Sequence, residues 1–148
     1  MRRILNGLGS ETGTSAIETA LTFPIMMFAV LVIIQFGTLV YARQSAEEAA
    51  RYGVRRGVVN IGNPGGAAIA AADEYAASAL PWGHTTQLEA PGGVVGSTMR
   101  VRVSTIPPNL LGPIMGFFGG SSGFENGGPG SQNAFQVTAV AEGRMEGW

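Results

Sequence analysis

The chain contains no cysteine, no lysine and one histidine, His84. Without cysteine there is no disulfide, no zinc–thiolate cluster and no cysteine nucleophile. One histidine cannot build a metal site unaided, and the carboxylates that might join it are scattered. Charge is also scarce. Charged residues make up 13% of the chain and hydrophobic ones 45%, against roughly 25% charged in an ordinary globular domain. A surface so poor in charge needs a membrane or a partner to cover part of it. The net charge of −1 provides no basic field for a nucleic-acid backbone. The Gly-rich run at residues 119–130 has no lysine, so it is not a nucleotide P-loop. It reads as flexible linker, Glu125 and Asn126 included, rather than as a cation site. There is no serine-nucleophile motif either. The sequence therefore presents no catalytic constellation and calls for no cofactor, metal, small-molecule substrate or nucleic acid.

What is present is a long apolar run. No charge occurs in residues 19–42, between Glu18 and Arg43, and the centre, residues 25–34, reads IMMFAVLVII. About 20 apolar residues suffice to cross a bilayer, and no polar face interrupts this run as it would in an amphipathic soluble helix. The pattern predicts a transmembrane helix. Pro24 lies inside it, where a bilayer helix tolerates the lost hydrogen bond better than a soluble one. Gln35, near the distal end, either snorkels to the interface or hydrogen-bonds another helix.

The helix is expected to continue past the apolar run, over residues 15–56. Arg43, Glu47, Arg51 and Arg55 recur every four residues and line one charged face. Ala42, Ala46, Ala49, Ala50, Gly53 and Gly57 line a second face of very small side chains. That face packs closely on the chain's own head or on another subunit. Glu47 and Glu48 are adjacent, but consecutive helical residues diverge by about 100°; they read as solvated face, not as a catalytic pair.

Gly57 and the run NIGNPGG at residues 60–66 break the helix. An alanine-rich second helix is predicted over residues 67–80, ended by Pro81-Trp82-Gly83. Residues 97–106 alternate, with Met99, Val101 and Val103 on one face and Arg100, Arg102 and Ser104 on the other, so they predict a half-buried strand. Pro107-Pro108 stops it. The apolar stretch 110–118 is too short and too broken by Gly and Pro for a second span. A last strand is predicted over residues 134–142, with Phe135, Val137, Ala139 and Ala141 on one side. The expected fold is a membrane-anchored α+β chain. A long N-terminal transmembrane helix carries a small head with a second helix and an antiparallel, hairpin-like sheet. The expected division is 1–13 leader, 14–57 helix and 58–148 head, with the two strands pairing antiparallel.

Just before the span stands Gly13-Thr14-Ser15-Ala16-Ile17-Glu18, behind a short basic leader with Arg2 and Arg3. This arrangement resembles a prepilin-peptidase site: a glycine, four residues, a glutamate, then a hydrophobic helix. More broadly, AIETALTFPIMMFAVLVIIQFGTLVYARQSAEEAARYGVRRG is similar to the amino-terminal signature of the TadE family, the pseudopilins of tight-adherence (Flp, type IVb) pili. The C-terminal half also fits that family, down to the Arg-x-Glu element Arg144-Met145-Glu146. Gln35 departs from it, standing where relatives often carry an acidic residue before Phe-Gly, and residues 58–96 carry no recognisable signature.

The resemblance implies a minor pilin or pseudopilin, not an enzyme, that assembles into a tight-adherence pilus or related secretion filament. It implies cleavage after Gly13 by a prepilin peptidase, leaving Thr14 as the new amino terminus and Glu18 as the fifth mature residue. A side-chain-free Gly13 would let the extended backbone enter a narrow protease site. Glu18, at the edge of the hydrocarbon, would be neutralised by a neighbouring subunit's amino group and so set the register of assembly. The implied partners are the membrane, other pilins, the assembly platform and the peptidase. The implied location is the inner membrane, single-pass, with the C-terminal head outside the cytoplasm and possible incorporation into an extracellular pilus. The alternative is an uncleaved single-span structural subunit of another complex, with Glu18 merely the last interfacial residue. A secretory signal peptide fits less well, since its apolar region would be about 7–15 residues long. Arginine counting alone favours the opposite orientation, because Arg43, Arg51, Arg55 and Arg56 follow the span; the resemblance is given precedence.

Overall fold

In the computed structural model, residues 11–112 and 135–145 are described. The Gly-rich run 119–130, most of the apolar stretch 110–118 and the first residue of the expected last strand lie outside them. Helix α1 runs unbroken over Glu11–Val58, through Pro24. Residues 42–51 are almost all strong helix formers, and Arg55 and Arg56 in the last turn complement the negative end of its dipole.

Helix α2, Pro64–Ala79, starts earlier than its alanine content suggests. Pro64-Gly65-Gly66 looks like a breaker, but Pro64 takes the first helical position, where a missing N–H costs nothing. Asn63 caps the helix by accepting a hydrogen bond from Gly66 N at 3.0 Å.

Three strands follow: β1 His84–Pro91, β2 Thr98–Thr105 and β3 Val137–Arg144. They form one antiparallel meander in the order β1-β2-β3. The pairing of β2 with β3 is the one expected, Thr98 opposite Arg144 through Thr105 opposite Val137. Strand β1 is an addition: HTTQLEAP has only Leu88 as a large apolar residue, so alternation gives little signal there. Gly92, Gly93 and Gly96, all with positive φ, turn the chain from β1 into β2, a geometry in which a side chain would be strained. The pairing slips between Leu88 and Ala90, leaving Glu89 as a bulged residue.

The sheet lays one face on the C-terminal half of α1 and on α2. Met99, Val101, Val103 and Thr105 of β2 point into this core, flanked by Ala139 and Ala141 of β3. Burying each of the larger side chains contributes about 1.5–3 kcal/mol. Very small residues bring the layers close. A Cβ on Gly53 would lie 2.6 Å from both Ala68 O and Ala72 Cβ, and one on Gly143 would run into Val54. Along α2, Gly65, Ala68, Ala72 and Ala76 form the matching buried stripe. On the open face, Arg100 pairs with Glu142 and Arg102 with Glu89.

Candidate functional site: the exposed helix and its seam with the head

The head covers only the C-terminal half of α1. From Thr14 to Val30 every residue is exposed, and the first buried one is Gln35. Ile17, Leu21 and Ile33 keep more than 70% of their surface. Within Thr14–Val58 an 18-residue window averages a hydropathy of 2.3 with 6% buried, making this the one helix among the described residues long and apolar enough to cross a membrane. Two of its hydroxyls are satisfied within the helix: Thr19 Oγ1 donates to Ser15 O and Thr38 Oγ1 to Ile34 O, both at 2.9 Å. A helix in hydrocarbon needs that internal satisfaction.

The expected processing and assembly residues sit at the free end. Gly13 and Thr14 fall in the first turns of α1, and Glu18 is exposed one turn further on. Among the described residues no basic side chain pairs with Glu18. Glu18 is exposed, on a helix face that also carries Thr14, Ser15, Leu21 and Thr22.

At the other end, Ala42, Ala46, Ala49 and Ala50 are fully buried, and Gly53 is buried with them. Of the two uses open to this small-residue face, packing on the chain's own head is the one realised in the fold. The charged face lies opposite: Glu47 pairs with Arg43 at 3.2 Å and with Arg51 at 3.8 Å. Glu48 is exposed, as the solvated-face reading expects, yet it has a partner. It accepts a 2.6 Å hydrogen bond from Tyr75 Oη, tying α1 to α2. That bond to a carboxylate, aided by desolvation, raises the Tyr75 pKa above the ordinary tyrosine value.

Gln35 neither snorkels nor bonds to a separate helix. It is 2% exposed, donates from Nε2 to Pro108 O at 3.3 Å and accepts at Oε1 from Leu110 N at 2.8 Å. It clamps the chain leaving β2 onto the helix. A primary amide can do this because it offers a donor and an acceptor together; the glutamine is visible in sequence, its partner 73 residues away is not. Tyr41 and Trp82 meet edge-on beside this seam, with ring centroids 6.0 Å apart, and Tyr41 Oη donates to Ala79 O at 3.0 Å. Elsewhere, Asp73 of α2 accepts from Thr86 and contacts the His84 ring, which fastens β1; His84 is structural in this arrangement. Among the described residues no group of His, Cys, Asp and Glu could hold a metal.

Residues 13–55 match the family model described as TadE-like protein. The match starts at the expected processing glycine and covers the exposed half of α1, Gln35 and the small-residue face through Gly53. The matched family is pilus-related and structural rather than enzymatic. No curated protein and no solved structure matches the chain.

Proposed function

We propose that this chain is a pilin-like structural subunit, a minor pilin or pseudopilin, of a tight-adherence pilus or related secretion filament. The observation that carries the reading is the TadE-like match over residues 13–55, which takes in the whole helix half that the head leaves bare. In this reading the bare half sits in the bilayer before assembly, with the head outside the cytoplasm, and packs on other pilins afterwards. A prepilin peptidase cuts between Gly13 and Thr14. The bond lies within α1 as described, so the enzyme must unwind the helix around it to take an extended substrate. Glu18 then meets the new amino group of a neighbour. The chain has no lysine, so in contacts between copies of it the amino terminus is the only ammonium on offer.

The same lack of lysine makes the test direct. An amine-reactive reagent labels only the amino terminus, and sequencing the labelled peptide from native membranes reads the processed end. Thr14 is the expected residue. A labelled Met1 in membranes holding an active peptidase would replace this reading with an uncleaved single-span subunit.

A further inference from the structure

We infer that the chain leaving β2, residues 106–112, is a second membrane-contacting element: a short loop held by Gln35 against α1 at the depth of the lipid interface. The inference rests on the membrane reading of α1 given above. Its partner is the bilayer itself.

Depth comes first. Glu18 is the last charge before the apolar run and marks one edge of the hydrocarbon. Gln35 is seventeen residues further along a continuous helix, or about 25 Å at 1.5 Å per residue. The hydrocarbon core is about 30 Å thick. Gln35 therefore sits just inside the far edge, and the Pro108–Leu110 backbone bonded to it sits there too. Tyr41, a further six residues on, falls just beyond the core, beside Trp82, where an aromatic pair suits the water–lipid boundary.

The loop is built for that position. Irregular backbone survives at membrane depth only when its polar groups are satisfied by protein. Pro107 and Pro108 have no N–H. Leu110 N is taken by Gln35 Oε1, and Leu111 N and Gly112 N both donate to Asn109 Oδ1, at 3.2 and 2.9 Å. Gln35 Nε2 covers the Pro108 carbonyl. The segment has no charged side chain, and it leaves Ile106 and Leu110 partly exposed, at 44% and 37%. A water-facing loop needs none of this internal satisfaction. Phe36 and Val40 of α1, exposed beside the clamp, continue the same apolar belt.

The absence of cysteine allows the test in the full chain. Leu110→Cys, Ile106→Cys, Phe36→Cys and Ser104→Cys are each spin-labelled and reconstituted into phosphatidylethanolamine–phosphatidylglycerol vesicles. Accessibility to oxygen and to a water-soluble nickel complex is then measured. The expected oxygen-to-nickel ratio at 110 and 106 is severalfold above that at Ser104, on the open sheet face, and approaches that at Phe36. Adding Gln35→Ala should drop the ratio at 110 while leaving Phe36 unchanged. A lipid-exposed Phe36 with water-like labels at 106 and 110 overturns the loop while the span stands. Water-like labels at all of these sites overturn the span and the loop with it. Two independent loop positions guard against one variant failing to fold.

Discussion

Tyr75 of α2 donates its hydroxyl proton to Glu48 of α1 across 2.6 Å, on the rim of a helix pair whose buried seam is lined by alanine and glycine. The bond requires a protonated tyrosine. Because the folded-state pKa is raised above the unfolded value of 10.0, its contribution is fully present below that value and is lost as pH climbs through the folded one. The stability gap between wild type and Tyr75→Phe, measured by chemical denaturation in detergent, should be constant near neutrality and close at strongly alkaline pH. A gap unchanged by alkali would remove the hydrogen bond from the account.

Gly53 is held at the closest point between the helices. Gly53→Ala should gain about 1 kcal/mol of helix propensity, yet its Cβ would lie 2.6 Å from Ala68 O and Ala72 Cβ. Overpacking of this kind costs about 1–3 kcal/mol, so the net effect expected is a lower melting temperature, and Gly53→Leu should be worse. Gly37→Ala has nothing within 4 Å and should leave the isolated subunit as stable or slightly more so. Equal behaviour of the two alanine variants would contradict the packing described.

The outer-face ion pairs should matter little. Glu89 serves Arg102 and, at 3.9 Å, Arg100, but the arginine side chains are 43–44% exposed. Exposed pairs are worth about 1 kcal/mol or less and weaken with salt. Glu89→Gln is expected to cost no more than that in low salt and less in high salt, by denaturant titration. A larger, salt-independent loss would mean that the bulge itself depends on the carboxylate.

Processing and assembly should separate genetically. A bulky residue at Gly13 should leave the chain inserted but uncut, with no amino group at Thr14. Glu18→Ala should still be cut, yet co-purify poorly with other pilins. Its charge costs roughly 2.5–3.5 kcal/mol at the centre of a membrane helix and less at the edge, so a paired role is a reason to keep it. Intact mass and co-purification, with the matching peptidase present, read both effects. A Glu18→Ala subunit that assembles as well as wild type would detach Glu18 from assembly.

The elements with strong local signal were legible in the sequence. The apolar run and its small-residue continuation are α1, and the alternation around Val101 is β2 with its core face as expected. Strand β1 was hidden because its face toward the helices is filled by His84, Thr86 and Leu88, two of which are polar and tied to Asp73. The start of α2 was hidden because Pro64 opens a helix as readily as it ends one. Glu48 and Gln35 were visible as residues, but their roles depend on Tyr75 and on Pro108 and Leu110, which only the folded chain brings near. Gly13, Thr14 and Glu18 were read from spacing and resemblance, and their chemistry lies between molecules.

Because α1 is one uninterrupted helix, the head has no azimuth of its own. From Glu18, the head-bearing residues Ala42, Ala46 and Gly53 fall about 240–280° round the helix at 3.6 residues per turn, or roughly a quarter to a third of a turn the other way. If Glu18 looks toward the axis of a bundle, the head is carried sideways, over an adjacent subunit, rather than straight outward. The handedness of that overlap is then fixed by residue count. One alanine inserted between Ile33 and Ile34 would swing the head by about 100° while lengthening the span by only about 1.5 Å. Such a subunit should fold and insert but fail to join wild-type assemblies; normal incorporation would mean that the head turns freely about its stalk.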